Sequence, residues 1–123
     1  MLKTLFISNY ALIDDLKVEF QPGFSVVTGE TGAGKSILLG ALGLISGDRL
    51  DKSVLRNDQH KMIIEASFVV EAYEVQNLFE SLDLDYADET IIRREVNTSG
   101  KSRSFVNDTP VKLNELKTLT DQL

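Results

Sequence analysis

The stretch Phe24-Ser25-Val26-Val27-Thr28-Gly29-Glu30-Thr31-Gly32-Ala33-Gly34-Lys35-Ser36-Ile37-Leu38-Leu39 decides how this chain is read. It opens on β-formers, carries Gly29-x-x-x-x-Gly34-Lys35-Ser36 at its centre, and runs into a proline-free apolar segment that continues to about Ser46. Strand, glycine loop and helix follow in the order that a phosphate-binding loop requires. Gly29, Gly32 and Gly34 have no Cβ, so the backbone there can curl and turn successive amide N–H groups inward. A helix starting near Lys35 adds the partial positive charge of its N-terminus. The Lys35 ammonium can reach the β- and γ-phosphates of a nucleotide, and the Ser36 hydroxyl can ligate Mg²⁺. The expected site is therefore Gly29, Glu30, Thr31, Gly32, Ala33, Gly34, Lys35 and Ser36, holding a nucleoside triphosphate with Mg²⁺ on Ser36. Spacing alone gives Glu30 and Thr31 no specific role. A glycine-rich turn fitting the pattern by chance is the bland alternative, and the flanking β-rich and apolar segments disfavour it.

Working outward, two β-segments precede the loop. Leu2 to Ile7 is rich in β-formers, and Ile13 to Phe20 ends in the alternation Leu16, Val18, Phe20, with Asn9-Tyr10-Ala11 between them and the turn Gln21-Pro22-Gly23 after. Small P-loop kinases usually place the loop on the first strand of the chain, so this order argues against one. The segment from Lys35 to Ser46 is apolar on nearly every face, as a helix buried against a sheet should be. Downstream, Met62 to Val70 reads as a strand with Ile64, Ala66 and Phe68 on one face. Val75, Leu78, Phe79 and Leu82 then fall at helical spacing. Glu89 to Val96 and Ser102 to Val106 form a hairpin around Asn97-Thr98-Ser99-Gly100, with Gly100 able to take positive φ. Asn107-Asp108-Thr109-Pro110 closes it, and Leu113, Leu116, Leu119 (or Thr120) and Leu123 mark a second apolar stripe at helical spacing.

Composition bounds the rest. The chain has 123 residues, 42% of them hydrophobic, enough for one small core. Without cysteine it has no disulfide or thiolate metal site, and a reducing cytoplasm fits. The longest apolar run, Ile37 to Ile45, is interrupted by Gly40 and Gly43 and is too short to span a bilayer, so no membrane partner is expected. Nineteen acidic against thirteen basic residues give a net charge of −6, unsuited to a phosphate-gripping DNA platform. Contact with DNA would need a local cluster such as Arg93, Arg94, Lys101 and Arg103, which reads first as a solvated hairpin face. His60 lacks metal partners and reads as surface. Tyr10 reads as core, while Asp14 with Asp15, and Asp83 with Asp85 and Asp88, read as solvated loops.

The stretches Ile7-Ser8-Asn9-Tyr10-Ala11-Leu12-Ile13, Val27 to Ile37, Ala41-Leu42-Gly43-Leu44, Ile91-Ile92-Arg93-Arg94 and Gly100-Lys101-Ser102-Arg103-Ser104-Phe105-Val106-Asn107 resemble the N-terminal segment of the RecN family, bacterial SMC-like DNA repair ATPases. The resemblance spans nearly the whole chain. Gly40 departs from the acidic residue usual in the family, and Asn57-Asp58 from a glycine-containing turn. The resemblance implies an α/β P-loop NTPase fold: the N-terminal lobe of an ABC/SMC-like ATPase head, with a mixed, largely antiparallel sheet. It further implies ATP and Mg²⁺ as cofactors, action on broken DNA in recombinational repair, a second head as homodimer partner, and a cytoplasmic, nucleoid-associated location. Such proteins continue into a coiled coil, a signature motif and a Walker B strand with its catalytic glutamate, none of which is found in residues 1–123. No catalytic residue is therefore expected within this chain, and little hydrolysis by it alone. An ABC transporter subunit and a non-catalytic DNA- or partner-binding module built on the hairpin are the rival readings.

Overall fold

The computed structural model describes residues 2–10, 13–19, 32–49, 60–70, 74–99 and 101–122, with backbone alone at 13–14 and 32–37. The elements run β1 (Leu2–Tyr10), β2 (Ile13–Glu19), α1 (Gly32–Ile45), β3 (Met62–Val69), α2 (Gln76–Ser81), β4 (Glu89–Val96), β5 (Ser102–Val106), β6 (Thr109–Val111) and α3 (Leu113–Thr120). Among the described residues six strands make one sheet in the order β2-β1-β3-β4-β5-β6, and every pairing there is antiparallel, matching the largely antiparallel sheet expected.

Period-2 alternation sends one set of side chains to each face of this sheet. Leu5 and Ile7 of β1, Met62, Ile64 and Ala66 of β3, Ile92 and Val96 of β4, and Val106 of β5 are fully buried on the inner face. Register places them side by side, with Leu5 opposite Ala66, Ile7 opposite Ile64, and Ile92 opposite both Ala66 and Val106. Ala41, Leu44 and Ile45 of α1, Phe79 of α2, and Leu116 and Leu119 of α3 complete the core. Burial of this kind contributes roughly 25 cal/mol per Å² of apolar surface and is what holds the helices on the sheet. α1 lies over β3 and β4. Over Leu38 to Ile45 it leaves one side open, with Leu39 60% exposed, where the all-round apolar sequence suggested full burial.

Two short turns position the downstream sheet. The Asn97 side chain accepts hydrogen bonds from Ser99 N, Ser99 Oγ and Lys101 N, which closes the β4–β5 hairpin through an Asx-type turn. Between β5 and β6, Asn107 (φ 48°) and Asp108 (φ 68°) both take positive φ, as a two-residue type I′ hairpin requires. Asn107 to Pro110 has the composition of a closing turn, yet Thr109–Val111 forms a sixth strand. Three residues and a proline give too little alternation to announce a strand.

Candidate nucleotide-binding site

α1 begins at Gly32, three residues before the start expected at Lys35, so that Gly32, Ala33, Gly34, Lys35 and Ser36 all lie in its N-terminal end. An α-helix leaves the N–H groups of its first turn without intrahelical acceptors, and its dipole places positive potential there. No acidic side chain sits in that first turn to compete for the donors. A cation beside such a helix start, with a hydroxyl one residue on, is a donor set suited to phosphate and magnesium. Gly29, Glu30 and Thr31 lie outside the described residues, as do the preceding strand segment Phe24 to Thr28, the turn at 21–23, Asn57-Asp58 and Gly100.

The other end of α1 is held much more elaborately. Asp48 N donates to Gly43 O at 3.0 Å and Gly47 N to Leu44 O at 3.2 Å, the paired bonds of a Schellman motif, with Gly47 in the left-handed region at φ 102°. α3 adds a bond from Thr120 Oγ1 to Ser46 O at 3.1 Å. From β4, Arg94 Nη1 donates to Leu44 O at 3.0 Å and, through a shorter bond, to Asp48 O. Its Nη2 donates to Ser102 Oγ of β5 at 3.0 Å. Only 1% of Arg94 is exposed. Burial lowers its pKa and the nearby Asp48 carboxylate raises it again, the first effect being the larger. Arginine stays protonated throughout ordinary conditions. The last turn of α1 has no basic residue of its own, so Arg94 brings a cation from the sheet to the negative end of the helix dipole.

The basic cluster therefore has to be corrected. Arg93 and Arg94 are neighbours on β4 and point to opposite faces, so the four residues do not form one solvated patch. Arg93 stacks 4.6 Å above the Phe105 ring and pairs with Asp108 at 3.4 Å. Lys101 and Arg103 remain exposed at the hairpin.

Tyr10 is core, at 7% exposure, with its phenol pushed above 10.0 by burial. Its ring explains Gly40, because a Cβ there would meet Tyr10 Oη at 2.5 Å. His60 is exposed, and its carbonyl accepts from Asn9 Nδ2 at 2.8 Å. Tyr86 donates to Asp88 at 2.9 Å. Among the described residues no cluster of His, Asp and Glu converges as metal ligands. No helix among them is long and apolar enough to cross a membrane.

The antiparallel sheet with α1 seated on it is the fold of the N-terminal lobe of an SMC-like head, and the comparisons agree. Residues 1–123 match the family model RecF/RecN/SMC N terminal domain, and the chain belongs to that family. It is 42% identical, over its whole length, to the DNA repair protein RecN of Haemophilus influenzae, and 40% identical over 95% of its length to RecN of Bacillus subtilis. The chain spans 23% and 21% of those relatives. Among solved structures, an SMC ATPase studied for ATP-driven dimerization and DNA stimulated activation superposes with a TM-score of 0.74, covering 98% of this chain and 78% of that one at 18% identity. The expected resemblance to the N-terminal segment of RecN and the expected fold are thus both borne out.

Proposed function

We propose that this chain is the ATP-binding N-terminal lobe of a RecN-like ATPase that acts in recombinational repair of DNA double-strand breaks. The observation that carries the reading is the start of α1 inside the glycine motif, which puts Gly32, Gly34, Lys35 and Ser36 at the positive end of a helix seated on the sheet. Backbone N–H groups of Gly29 to Ser36 would line the phosphates, Lys35 would neutralise the β- and γ-phosphate oxygens, and Ser36 would ligate Mg²⁺. Magnesium bound there would neutralise the charge that develops on the phosphates; activating water is a task for residues outside this chain. RecN relatives more than four times as long, and an SMC neighbour described by ATP-driven dimerization, support a homodimer of heads that sandwiches ATP and a DNA-binding role for the full-length protein. A cytoplasmic, nucleoid-associated location follows from the same reading.

Calorimetric titration of the full-length protein and its Lys35→Ala variant with MgATP tests the assignment. Loss of affinity in the variant is expected, and equal affinities would remove the phosphate loop as the site.

A further inference from the structure

Arg94 is the one charged side chain among the described residues that is buried. Its hydrogen bonds go to two carbonyls and a hydroxyl, and among the described residues no carboxylate lies within ion-pair distance, the Asp48 carboxylate acting on it only from further away. Taking a guanidinium out of water is costly, and apolar side chains of similar volume often replace buried ions with a gain in stability. Ile92 and Val96, two positions before and after it on the same face, show that this part of β4 accepts apolar residues. The helix dipole favours a cation there, yet the desolvation cost opposes it, so stability alone does not explain the choice. Its three acceptors do, because they belong to two different parts of the fold. Leu44 O and Asp48 O end the helix whose first turn is the phosphate loop, and Ser102 Oγ begins β5 after the hairpin.

We propose that Arg94 is a positioning residue for nucleotide binding, fixing the seat of α1 on the sheet by clamping the helix's last turn to β4 and, through Ser102, to β5. The proposal rests on the phosphate-loop reading above. α1 has 14 residues and behaves as a rod about 21 Å long, so freedom at its C-terminal end is carried to its first turn. A phosphate cradle made of N–H groups and an ammonium is sensitive to displacements on the order of 1 Å. Arginine suits the role because its planar fork reaches separate acceptors at fixed angles, whereas a lysine cannot span them.

The test uses the full-length protein and MgATP, with affinity by calorimetry and melting temperature for each variant. Arg94→Lys is expected to weaken binding about tenfold, the size of one lost charged hydrogen bond, and Ser102→Ala about threefold. Phe79→Leu, a buried position in α2 whose ring stacks edge-on with Tyr86, supplies a destabilised control that should keep normal affinity. Unchanged affinity in Ser102→Ala, or a loss in Phe79→Leu equal to that in Arg94→Lys at matched melting temperature, would overturn the proposal. Ser102→Ala decides the matter even where Arg94→Lys fails to fold. Lys35→Ala separates the two levels. If it binds nucleotide normally, the phosphate-loop reading falls and takes this one with it, whereas if it loses binding while Arg94→Lys and Ser102→Ala do not, only the role of Arg94 falls.

Discussion

The two ends of α1 are built on opposite plans. Its C-terminal end is closed by a Schellman pair, a bond from α3 and a buried guanidinium from β4, which pair the carbonyls of Gly43, Leu44 and Ser46 within the protein. Its N-terminal end consists of Gly32-Ala33-Gly34-Lys35 and carries no acidic side chain. One end is complete in itself. The other gathers donors and positive potential, which an anion would satisfy. A helix whose dipole is answered by protein at one end and by ligand at the other can bind without being reorganised, since its position is set by the end that does no chemistry.

The sharpest way to break this contrast is at the open end. Lys35→Ala should lower MgATP affinity about a hundredfold or more, as loss of a desolvated charged contact does, while stability changes by about 0.5 kcal/mol or less. Equal affinity with a large fall in melting temperature would mean that Lys35 supports the fold instead. At the closed end the order reverses. Arg94→Ala should cost roughly 3 kcal/mol or more, because it removes a charged hydrogen bond from each of two carbonyls and opens a cavity. Its neighbour Arg93→Ala should cost less than about 1 kcal/mol, the range of exposed ion pairs and cation–π contacts. Denaturant unfolding of both variants checks the pair, and similar losses would show that the two faces of β4 are not distinct. Gly47→Ala should cost about 1–2 kcal/mol, since a side chain at φ 102° is strained and its Cβ would meet Lys117 Cγ at 2.5 Å.

The smallest effect concerns Gly40. A glycine inside a helix costs about 1 kcal/mol relative to alanine, but here alanine meets Tyr10 Oη. Gly40→Ala should be near neutral alone and stabilising by up to ~1 kcal/mol in a Tyr10→Phe background. A double-mutant cycle in thermal unfolding measures the difference, and additive effects would rule out the Tyr10 contact as the reason for this glycine. Tyr10 also sets a pH signature. Its folded-state pKa is raised, so its contribution is present below pH 10.0 and is lost as pH rises through the folded value. Tyr10→Phe should flatten that alkaline part of the stability curve.

Much of this was legible in the sequence. The β-formers of Leu2 to Ile7 and the alternation of Ile64, Ala66 and Phe68 marked strands, spacing assigned Phe79 to α2, and the glycine motif placed the start of α1 to within three residues. Arg94 was not read correctly, because two adjacent arginines in a hairpin look alike when judged by type. The signal was present, since Ile92, Arg94 and Val96 share one face, and an arginine at an inward-facing position needs acceptors there. The exposure of Leu39 could not be read either, because apolar periodicity says what a helix face is suited to, not what covers it.

Pro110 carries one more consequence. It lies in β6, a three-residue strand at one margin of the sheet, where a missing N–H and short length discourage another strand from adding on. Among the described residues the opposite margin is β2, with seven residues of regular backbone. The two margins thus differ in how readily they accept a further strand, and β6 is the one built to refuse it.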